Sequence, residues 1–282
     1  MRTGAMFYGV FMSVSGAQVD VILQQDLNAA GVLRVTLDDS ARRNALSTRM
    51  LGELKEVLDR VASDAQVRVL VLAATGPAFS AGHDLKEITL AREHDDAGRS
   101  FFKDLMDQCA TVMQAIINNP KPVIAEVSGV ATAAGCQLVA SCDLAYAAPT
   151  ARFATPGVHI GLFCSTPMVA LSRNVSNKAA MEMLLTGEML SAEEASRIGL
   201  VNRVVPAEAL SEFTMNMALT IAGKSTMTVA TGKQAFYRQR EMPLDQAYAY
   251  ASEVMVDNML KQDAREGIGA FVEKRVPQWQ DE

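Results

Sequence analysis

Two short segments rich in small residues carry the backbone groups that could do chemistry in this chain. The first runs from Ala78 to Lys86 and the second from Ala131 to Leu138. Each follows an apolar, strand-like run, so each is predicted to form a strand end, a tight turn and the start of a helix. Where Gly and Ala replace bulky side chains, a ligand can approach main-chain N–H groups, and a helix N-terminus favours developing negative charge. The pattern therefore indicates an oxyanion hole.

Further motifs precede and follow these two segments. In chain order the whole set is Asn44 to Leu46, Ala78 to Lys86, Lys121 to Ala125, Ala131 to Leu138, Ala180 to Gly187, Ala195 to Val201 and Glu266 to Arg275. The set resembles the motifs of the crotonase superfamily, the enoyl-CoA hydratase/isomerase group, and the resemblance is continuous from about residue 26 to the C-terminus. A single Gly/Ala-rich turn would be weak evidence, but several motifs in the family's order are specific.

The resemblance implies where the oxyanion donors lie. A coenzyme A (CoA) thioester needs its carbonyl polarised before its α-carbon loses a proton or its β-carbon accepts water, and one such donor contributes about 2.7–4 kcal/mol. The family's two donors correspond to the backbone N–H groups of His83 and Ala134. Only the backbone is needed, so these side chains are acceptable there. The alternative interpretation is a Gly/Ala pair that packs a helix against a strand.

The acid and base of the family's hydratases do not carry over. Their two glutamates correspond here to Gln137 and Gly157. Gln cannot titrate and Gly has no side chain, so the glutamate pair is absent. Losing a positioned acid–base group typically costs on the order of 10²–10⁴ in rate, so we expect ordinary hydratase activity to be low unless another group substitutes.

Several side chains are candidate substitutes. His83 has a suitable pKa range, although its side chain could equally point away while its N–H binds the oxygen. Ser165 falls near the place where some relatives carry a catalytic acid, so it is included among the catalytic candidates. His159, Cys136 and Cys164 are also near the predicted site, but packed or surface positions are their more ordinary interpretation.

The resemblance also implies a CoA-binding set. Its members in this sequence are Arg43, Ala81, His83, Asp84, Leu85, Lys86, Phe271 and Lys274. Lys86 and Arg43 are expected at the adenine end of CoA, with Phe271 and Lys274 contributed by a neighbouring subunit. CoA enters as part of the substrate, so no separate cofactor is expected, and no metal either because the three histidines lack ligand spacing with each other.

The elements that must position these groups follow from residue periodicity. Apolar or alternating runs predict strands at 32–38, 67–74, 122–127 and 143–147, and three- and four-residue steps predict helices at 48–61, 101–118, 133–141, 167–173, 178–185 and 193–197. Ser47 is predicted to cap the first helix, and Ser191 with Glu194 to form a capping box. The fold class is therefore α/β.

The resemblance implies a crotonase-type spiral of ββα units with a helical C-terminal region that covers the active site or a neighbour. We expect a flexible tail over residues 1–25, the spiral core over 26–205 and the helical region over 206–282, all one functional unit. It also implies a homotrimer or a dimer of trimers.

Bulk composition restricts the partners and the location. With 282 residues, 49% hydrophobic and 21% charged, the composition is that of an ordinary globular protein. A formal net charge of −6 disfavours nucleic acid and anionic membranes as partners. The four cysteines lack C-x-x-C spacing and are expected to be reduced. No apolar run reaches the roughly 20 residues of a membrane span.

The N-terminal segment is the last feature that affects location. Arg2 followed by the apolar stretch Ala5 to Val14 weakly imitates a signal peptide, but Tyr8 and Gly9 interrupt it. We expect this segment to be a flexible tail, or translation to start at a later codon. We also expect the protein to be cytoplasmic.

Three functions remain open at this stage. The first is an acyl-CoA-binding enzyme of the enoyl-CoA hydratase/isomerase class, a lyase or isomerase of fatty acid metabolism acting through an enolate held by His83 and Ala134. The second is decarboxylation of a malonyl-type CoA, because loss of CO₂ creates the enolate without a base. The third is a catalytically silent acyl-CoA-binding protein.

Overall fold

The computed structural model describes residues 21–281. Its strands are β1 Leu23–Leu27, β2 Val32–Leu37, β3 Val69–Ala74, β4 Ala78–Ser80, β5 Val123–Val127, β6 Val130–Thr132, β7 Leu144–Ala147, β8 Arg152–Ala154, β9 Leu190–Ser191 and β10 Arg203–Val204. Its helices are α1 Thr48–Ser63, α2 Leu85–Ala91, α3 Arg99–Asn118, α4 Ala134–Ser141, α5 Ser165–Leu171, α6 Asn177–Thr186, α7 Ala192–Arg197, α8 Leu210–Ala222, α9 Thr226–Gln239, α10 Leu244–Met259 and α11 Gln262–Glu273. Two 3₁₀ turns cover Ser40–Arg42 and Pro156–Ile160.

The strands form two sheets that the chain visits alternately. One sheet has the order β1-β2-β3-β5-β7-β10 and the other the order β4-β6-β8-β9. The chain passes from β3 to β4, from β5 to β6 and from β7 to β8, and helices follow each pair. Within each sheet the successive members of these pairs are parallel neighbours. The fold is therefore the predicted spiral of ββα units, and the α/β class is confirmed.

Hydrophobic burial explains why these segments form these elements. All residues of β5 are buried, as expected for a strand covered on both faces. Helix α1 buries an amphipathic stripe that includes Met50 and Val61, and its start is capped by Ser47, whose Oγ accepts the Met50 N–H at 3.1 Å. Helix α8 packs on the other face of the larger sheet and buries Ala218.

Helix α9 is fastened to the core by a buried cation. Lys233 on α9 lies with its side chain 7% exposed, and its Nζ donates to Asp143 Oδ2 at 2.7 Å and to the carbonyls of Ile116 and Lys121. Tyr237 donates to the other oxygen of Asp143 at 2.9 Å. Burial lowers the pKa of Lys233, while Asp143 opposes that shift. Lys233 therefore links α9 to the core through three hydrogen bonds from its ammonium group.

Two details differ from the sequence prediction, the N-terminal edge of the first sheet and the capping box. Strand β1 begins at Leu23 and pairs with β2, so the predicted tail overlaps the first sheet over residues 23–25. The reason is the burial of Ile22 and Leu23, which supplies a hydrophobic anchor that alternation alone did not reveal. The rest of the predicted tail, residues 1–20, lies outside the described residues. At the capping box, Ser191 caps α7 as expected, but the carboxylate of Glu194 pairs with Arg197 instead of returning to the cap.

Candidate functional site

The two small-residue segments meet in the structure. A Cβ on Gly82 would lie 2.9 Å from Ala133 Cβ and 3.3 Å from Ala134 N, so the turn after β4 rests against the start of α4. A Cβ on Gly135 would lie 2.2 Å from Ser80 O, which leaves no room for any side chain there. Both glycines are therefore required for the close approach of the two segments.

Each segment has a backbone amide without a hydrogen-bond partner in the described part of the chain, at the position to which the resemblance assigned an oxyanion donor. In the first turn the N–H of Ala81 donates to Arg43 O at 3.1 Å and that of Gly82 to Ser80 Oγ at 3.3 Å, so His83 is the next available donor. At the second segment Ala133 N donates to Ala154 O at 2.9 Å, and Ala134 is the first residue of α4. Neither the His83 nor the Ala134 amide donates to an acceptor within residues 21–281.

The backbone before the second amide is strained. Ala133 has φ of 51° and ψ of −120°, a conformation that a residue with a Cβ rarely adopts. Such strain costs of order 1–3 kcal/mol and persists only where the surroundings enforce it. Here the bond to Ala154 O and the contact with Gly82 enforce it, and the result is an amide of Ala134 that points out of the helix start.

Asn44 supports the first turn, a role that sequence reasoning had not assigned. Asn44 is fully buried and has a φ of 51°. Its Nδ2 donates to Thr75 O at 2.9 Å and to Ala78 O at 2.8 Å, and its Oδ1 accepts the Asp39 N–H at 2.8 Å. This places the following Leu46 beside the site, where its N–H donates to Gly82 O at 2.8 Å. Asn within a motif of the predicted site was the signal that could have revealed this role.

His83 is half-buried and held by one of its ring nitrogens. Nδ1 lies 3.2 Å from Leu46 O, and Nε2 is buried without a hydrogen-bond partner within the described residues. Burial lowers the pKa of His83; the bond to Leu46 and the charge of Glu87 oppose that shift without cancelling it. The imidazole is therefore neutral at pH 7.

The two positions that the resemblance aligns with the family's glutamates hold Gln137 and Gly157, and both are packed. Gln137 is buried in the first turn of α4, with Oε1 3.9 Å from Cys109 Sγ. At Gly157 a Cβ would lie 2.9 Å from both Cys164 Sγ and Leu162 O. The thiol of Cys164 thus fills the space into which a side chain at position 157 would project.

The remaining catalytic candidates are less well placed or less reactive. Ser165 is exposed at the start of α5, and its hydroxyl donates to Phe163 O at 3.3 Å. Burial raises the pKa of the Cys136 thiol to about 12 and also raises that of Cys164, so both thiols stay protonated near neutral pH. His159 hydrogen-bonds Thr186 O through Nε2 at 2.8 Å.

The predicted CoA-binding residues of the first segment lie together along one edge of the site. Ala81 is exposed, and its carbonyl accepts the hydroxyl of Thr132 at 3.2 Å. Asp84 caps α2 by accepting the Lys86 N–H at 2.8 Å. The side chains of Leu85 and Lys86 are both exposed. Arg43 is likewise exposed and stays beside Ala81 through its carbonyl.

The other two predicted CoA-binding residues lie at the end of the chain. Phe271 on α11 is 86% exposed, and the exposed Lys274 ends that helix in the left-handed conformation. Helix α11 contacts α10 within the subunit. Their predicted role at a neighbouring subunit's site remains a prediction.

Residues 21–281 lack two features that would indicate particular partners. In that range no group of three or more His, Cys, Asp and Glu side chains is arranged to hold a metal ion. No helix of the same range has the length and apolar character to cross a membrane.

Comparison with known proteins gives concordant results. The sequence model of the family described as enoyl-CoA hydratase/isomerase matches residues 28–282. The chain is 48% identical over 252 residues to the Homo sapiens enoyl-CoA hydratase domain-containing protein 3, mitochondrial, covering 89% of this chain and 82% of the relative. It is 33% identical over 247 residues to 2,3-dehydroadipyl-CoA hydratase of Escherichia coli, covering 87% of this chain and 94% of that protein. Among solved structures, an enoyl-CoA hydratase of Mycobacterium smegmatis superposes with a TM-score of 0.88 at 50% identity, covering 92% of this chain and 99% of that one.

These names correct one expectation. The sequence led us to expect a cytoplasmic protein, and that prediction is wrong: five vertebrate relatives at 44–49% identity all carry the description mitochondrial. The interrupted apolar stretch near the N-terminus gave too little information to decide location, and it lies outside the described residues.

Proposed function

This chain belongs to the crotonase superfamily, in its enoyl-CoA hydratase/isomerase family, and we propose that it binds an acyl-CoA thioester and carries out chemistry through an enolate. In this proposal the N–H groups of His83 and Ala134 bind the thioester oxygen. Two donors fixed by the backbone need no reorganisation as charge develops on that oxygen, so they stabilise the enolate more than the ground state.

One observation carries the proposal. Two amides without partners lie on segments that touch each other, because Gly82 rests against Ala133 and Ala134. Free N–H groups at a strained turn and a helix start need an acceptor, which water or a ligand can supply. A thioester oxygen is an acceptor suited to that pair, and CoA is the carrier that relatives of this family name as their substrate.

The CoA moiety is proposed to lie along Ala81 to Lys86. The exposed ammonium of Lys86 and the guanidinium of Arg43 supply positive charge for phosphate groups on a protein whose overall charge is −6. Asp84 fixes the first turn of α2 and therefore the direction in which Lys86 leaves the backbone.

The reaction is proposed to be of the hydratase/isomerase class with unusual acid–base groups. A second candidate, decarboxylation of a malonyl-type CoA, is favoured by the packing at Gly157, where Cys164 Sγ fills the space of a carboxylate-bearing side chain. That reaction forms the same enolate by loss of CO₂ and needs no base to do so. A silent acyl-CoA-binding protein is the third alternative.

We also propose that the chain assembles as a homotrimer or a dimer of trimers. Support comes from large apolar side chains that remain exposed on the C-terminal helices of the single chain; they are Phe236, Leu244, Met255, Val256, Met259, Ile268, Phe271 and Val272. Contiguous exposed apolar surface typically marks a protein interface. Light scattering coupled to size-exclusion chromatography should give a mass of three or six chains.

The function is tested by binding and turnover on the same preparation. We expect calorimetry to show binding of butyryl-CoA, and we expect crotonyl-CoA to be hydrated below about 10 s⁻¹, the median turnover of enzymes. Methylmalonyl-CoA is assayed for CO₂ release in parallel. Rapid hydration of crotonyl-CoA would mean that an acid–base pair of full strength is present, and absence of acyl-CoA binding would refute the proposal.

A further inference from the structure

The imidazole of His83 carries a buried atom without a partner. Nδ1 faces Leu46 O at 3.2 Å, and a carbonyl oxygen can only accept, so Nδ1 bears the hydrogen. In the neutral ring Nε2 then holds a lone pair, and it finds no donor within the described residues. Leaving such an acceptor unsatisfied costs about 1–3 kcal/mol, and an unsatisfied group in a native site calls for an explanation.

A second orphaned atom lies beside the other free amide. Thr155 is fully buried, and its Oγ1 has no partner in residues 21–281. It directly follows Ala154, whose carbonyl accepts the N–H of Ala133 at 2.9 Å, so it adjoins the start of α4. An unpaired polar atom thus belongs to, or adjoins, each segment that supplies a free amide.

The charges around His83 keep it in the form that accepts a proton. Glu87 on α2 is the carboxylate that acts on the ring, and it is held by the N–H of Thr48 at 3.0 Å and its hydroxyl at 3.2 Å. Asp84 flanks His83 in the chain and lies 3.9 Å from Arg42, which offsets its charge. Burial still lowers the pKa of His83 below its usual 6.5, so Nε2 is unprotonated at neutral pH.

We propose that His83 is a catalytic residue whose Nε2 removes the proton from the α-carbon of the bound acyl thioester. The inference rests on the proposed function, and it gives the site a base where Gln137 and Gly157 supply no carboxylate. The Cα–H bond breaks, its proton passes to Nε2, and its electron pair moves into the C=C bond of the enolate while the thioester oxygen takes the negative charge. The amides of His83 and Ala134 stabilise that oxygen, and the imidazolium returns a proton to carbon.

Exchange of hydrogen for deuterium tests this step without knowledge of the physiological substrate. The full chain is incubated with butyryl-CoA in D₂O, and loss of the α-proton signal is followed by NMR. We expect exchange whose rate rises with pH as the imidazole loses its proton and levels off once the ring is neutral. The His83→Asn variant keeps an amide donor for Leu46 O and the backbone N–H but lacks Nε2. It should exchange at least about 100-fold more slowly, and calorimetry should still detect binding of butyryl-CoA.

The control is His94→Asn, which makes the same change at an exposed histidine and should exchange like the wild type. Exchange at the wild-type rate in folded His83→Asn would overturn the inference, as would a wild type that binds butyryl-CoA without exchanging it. Failure of the wild type to bind butyryl-CoA at all would refute the proposed function instead. Exchange that persists unchanged in Ala134→Pro would do the same, because it would place the thioester oxygen elsewhere.

Discussion

The contact between Gly135 and Ser80 offers a quantitative test of the site's architecture. In Gly135→Ala the new Cβ would start 2.2 Å from Ser80 O, whereas carbon–oxygen contacts in proteins lie near 3.3 Å. The start of α4 or the end of β4 must therefore move by about 1 Å, the difference between these distances. Overpacking of this kind costs about 1–3 kcal/mol, and the helical preference of Ala over Gly returns about 0.5–1 kcal/mol.

The same displacement should affect function more than stability. It moves the amide of Ala134 relative to that of His83, and a misplacement of about 1 Å can cost on the order of 10²-fold in rate. We therefore expect Gly135→Ala to lose about 1–2 kcal/mol in the free energy of unfolding and about 100-fold in α-proton exchange of butyryl-CoA. Urea unfolding and NMR exchange measure the two quantities.

The matched control is Gly232→Ala on α9, where an added Cβ meets nothing within 4 Å. This variant should gain about 0.5–1 kcal/mol in the free energy of unfolding and exchange like the wild type. If Gly135→Ala proves as stable and as active as the wild type, then α4 does not pack against Ser80 as described, and the pairing of the two amides is refuted.

Three further predictions concern separate parts of the molecule. Ala134→Pro removes the second N–H and should abolish α-proton exchange, whereas Ala134→Gly keeps it and should retain exchange; Pro is sterically acceptable in a first helical turn, and circular dichroism checks that the variant folds. Lys233→Met leaves Asp143 without its cation and should lower the free energy of unfolding by about 3–5 kcal/mol. Lys178→Met, on the exposed face of α6, should change it little. Equal urea midpoints for the two variants would contradict the buried pairing. The pKa of His83 is lower in the folded protein, so below pH 6.5 the unfolded chain binds more protons than the folded one, and the free energy of unfolding should fall as the pH drops through that range. The variant His83→Asn should weaken this dependence. A pH profile of urea midpoints that the variant leaves unchanged would contradict the prediction.

Much of the fold was predictable because its signals are local. The stripe of α1, the cap at Ser47 and the mostly apolar run of β5, which Glu126 interrupts, are each contained in a short window, and the structure places all three as expected. The boundary near Leu23 was not predictable in this way. Its pairing with Leu37 depends on a partner strand, and a short mixed segment gives no indication of that partner.

The residues of the site likewise fall into those that a local sequence signal marks and those that depend on tertiary contacts. Two glycine-bearing segments could be recognised from sequence, because close approach leaves a mark in residue type at Gly82 and Gly135. The support from Asn44 was less visible, since two of its three hydrogen bonds go to backbone atoms of a distant segment, at Thr75 and Ala78. The closing of position 157 by Cys164 likewise depends on a tertiary contact, and a sequence shows only that a glycine is there.

The state of His83 shows most clearly why chemistry can depend on a contact that no motif records. From sequence, a side chain directed away from the site and one directed into it were equally acceptable, since the backbone amide serves in both cases. The structure distinguishes the two nitrogens through Leu46 O, a carbonyl 37 residues away in the chain that fixes the hydrogen on Nδ1. That carbonyl is positioned by the bond from Leu46 N to Gly82 O, within the turn that Asn44 supports. The backbone that presents the first amide therefore also sets the tautomer that leaves Nε2 free to accept a proton.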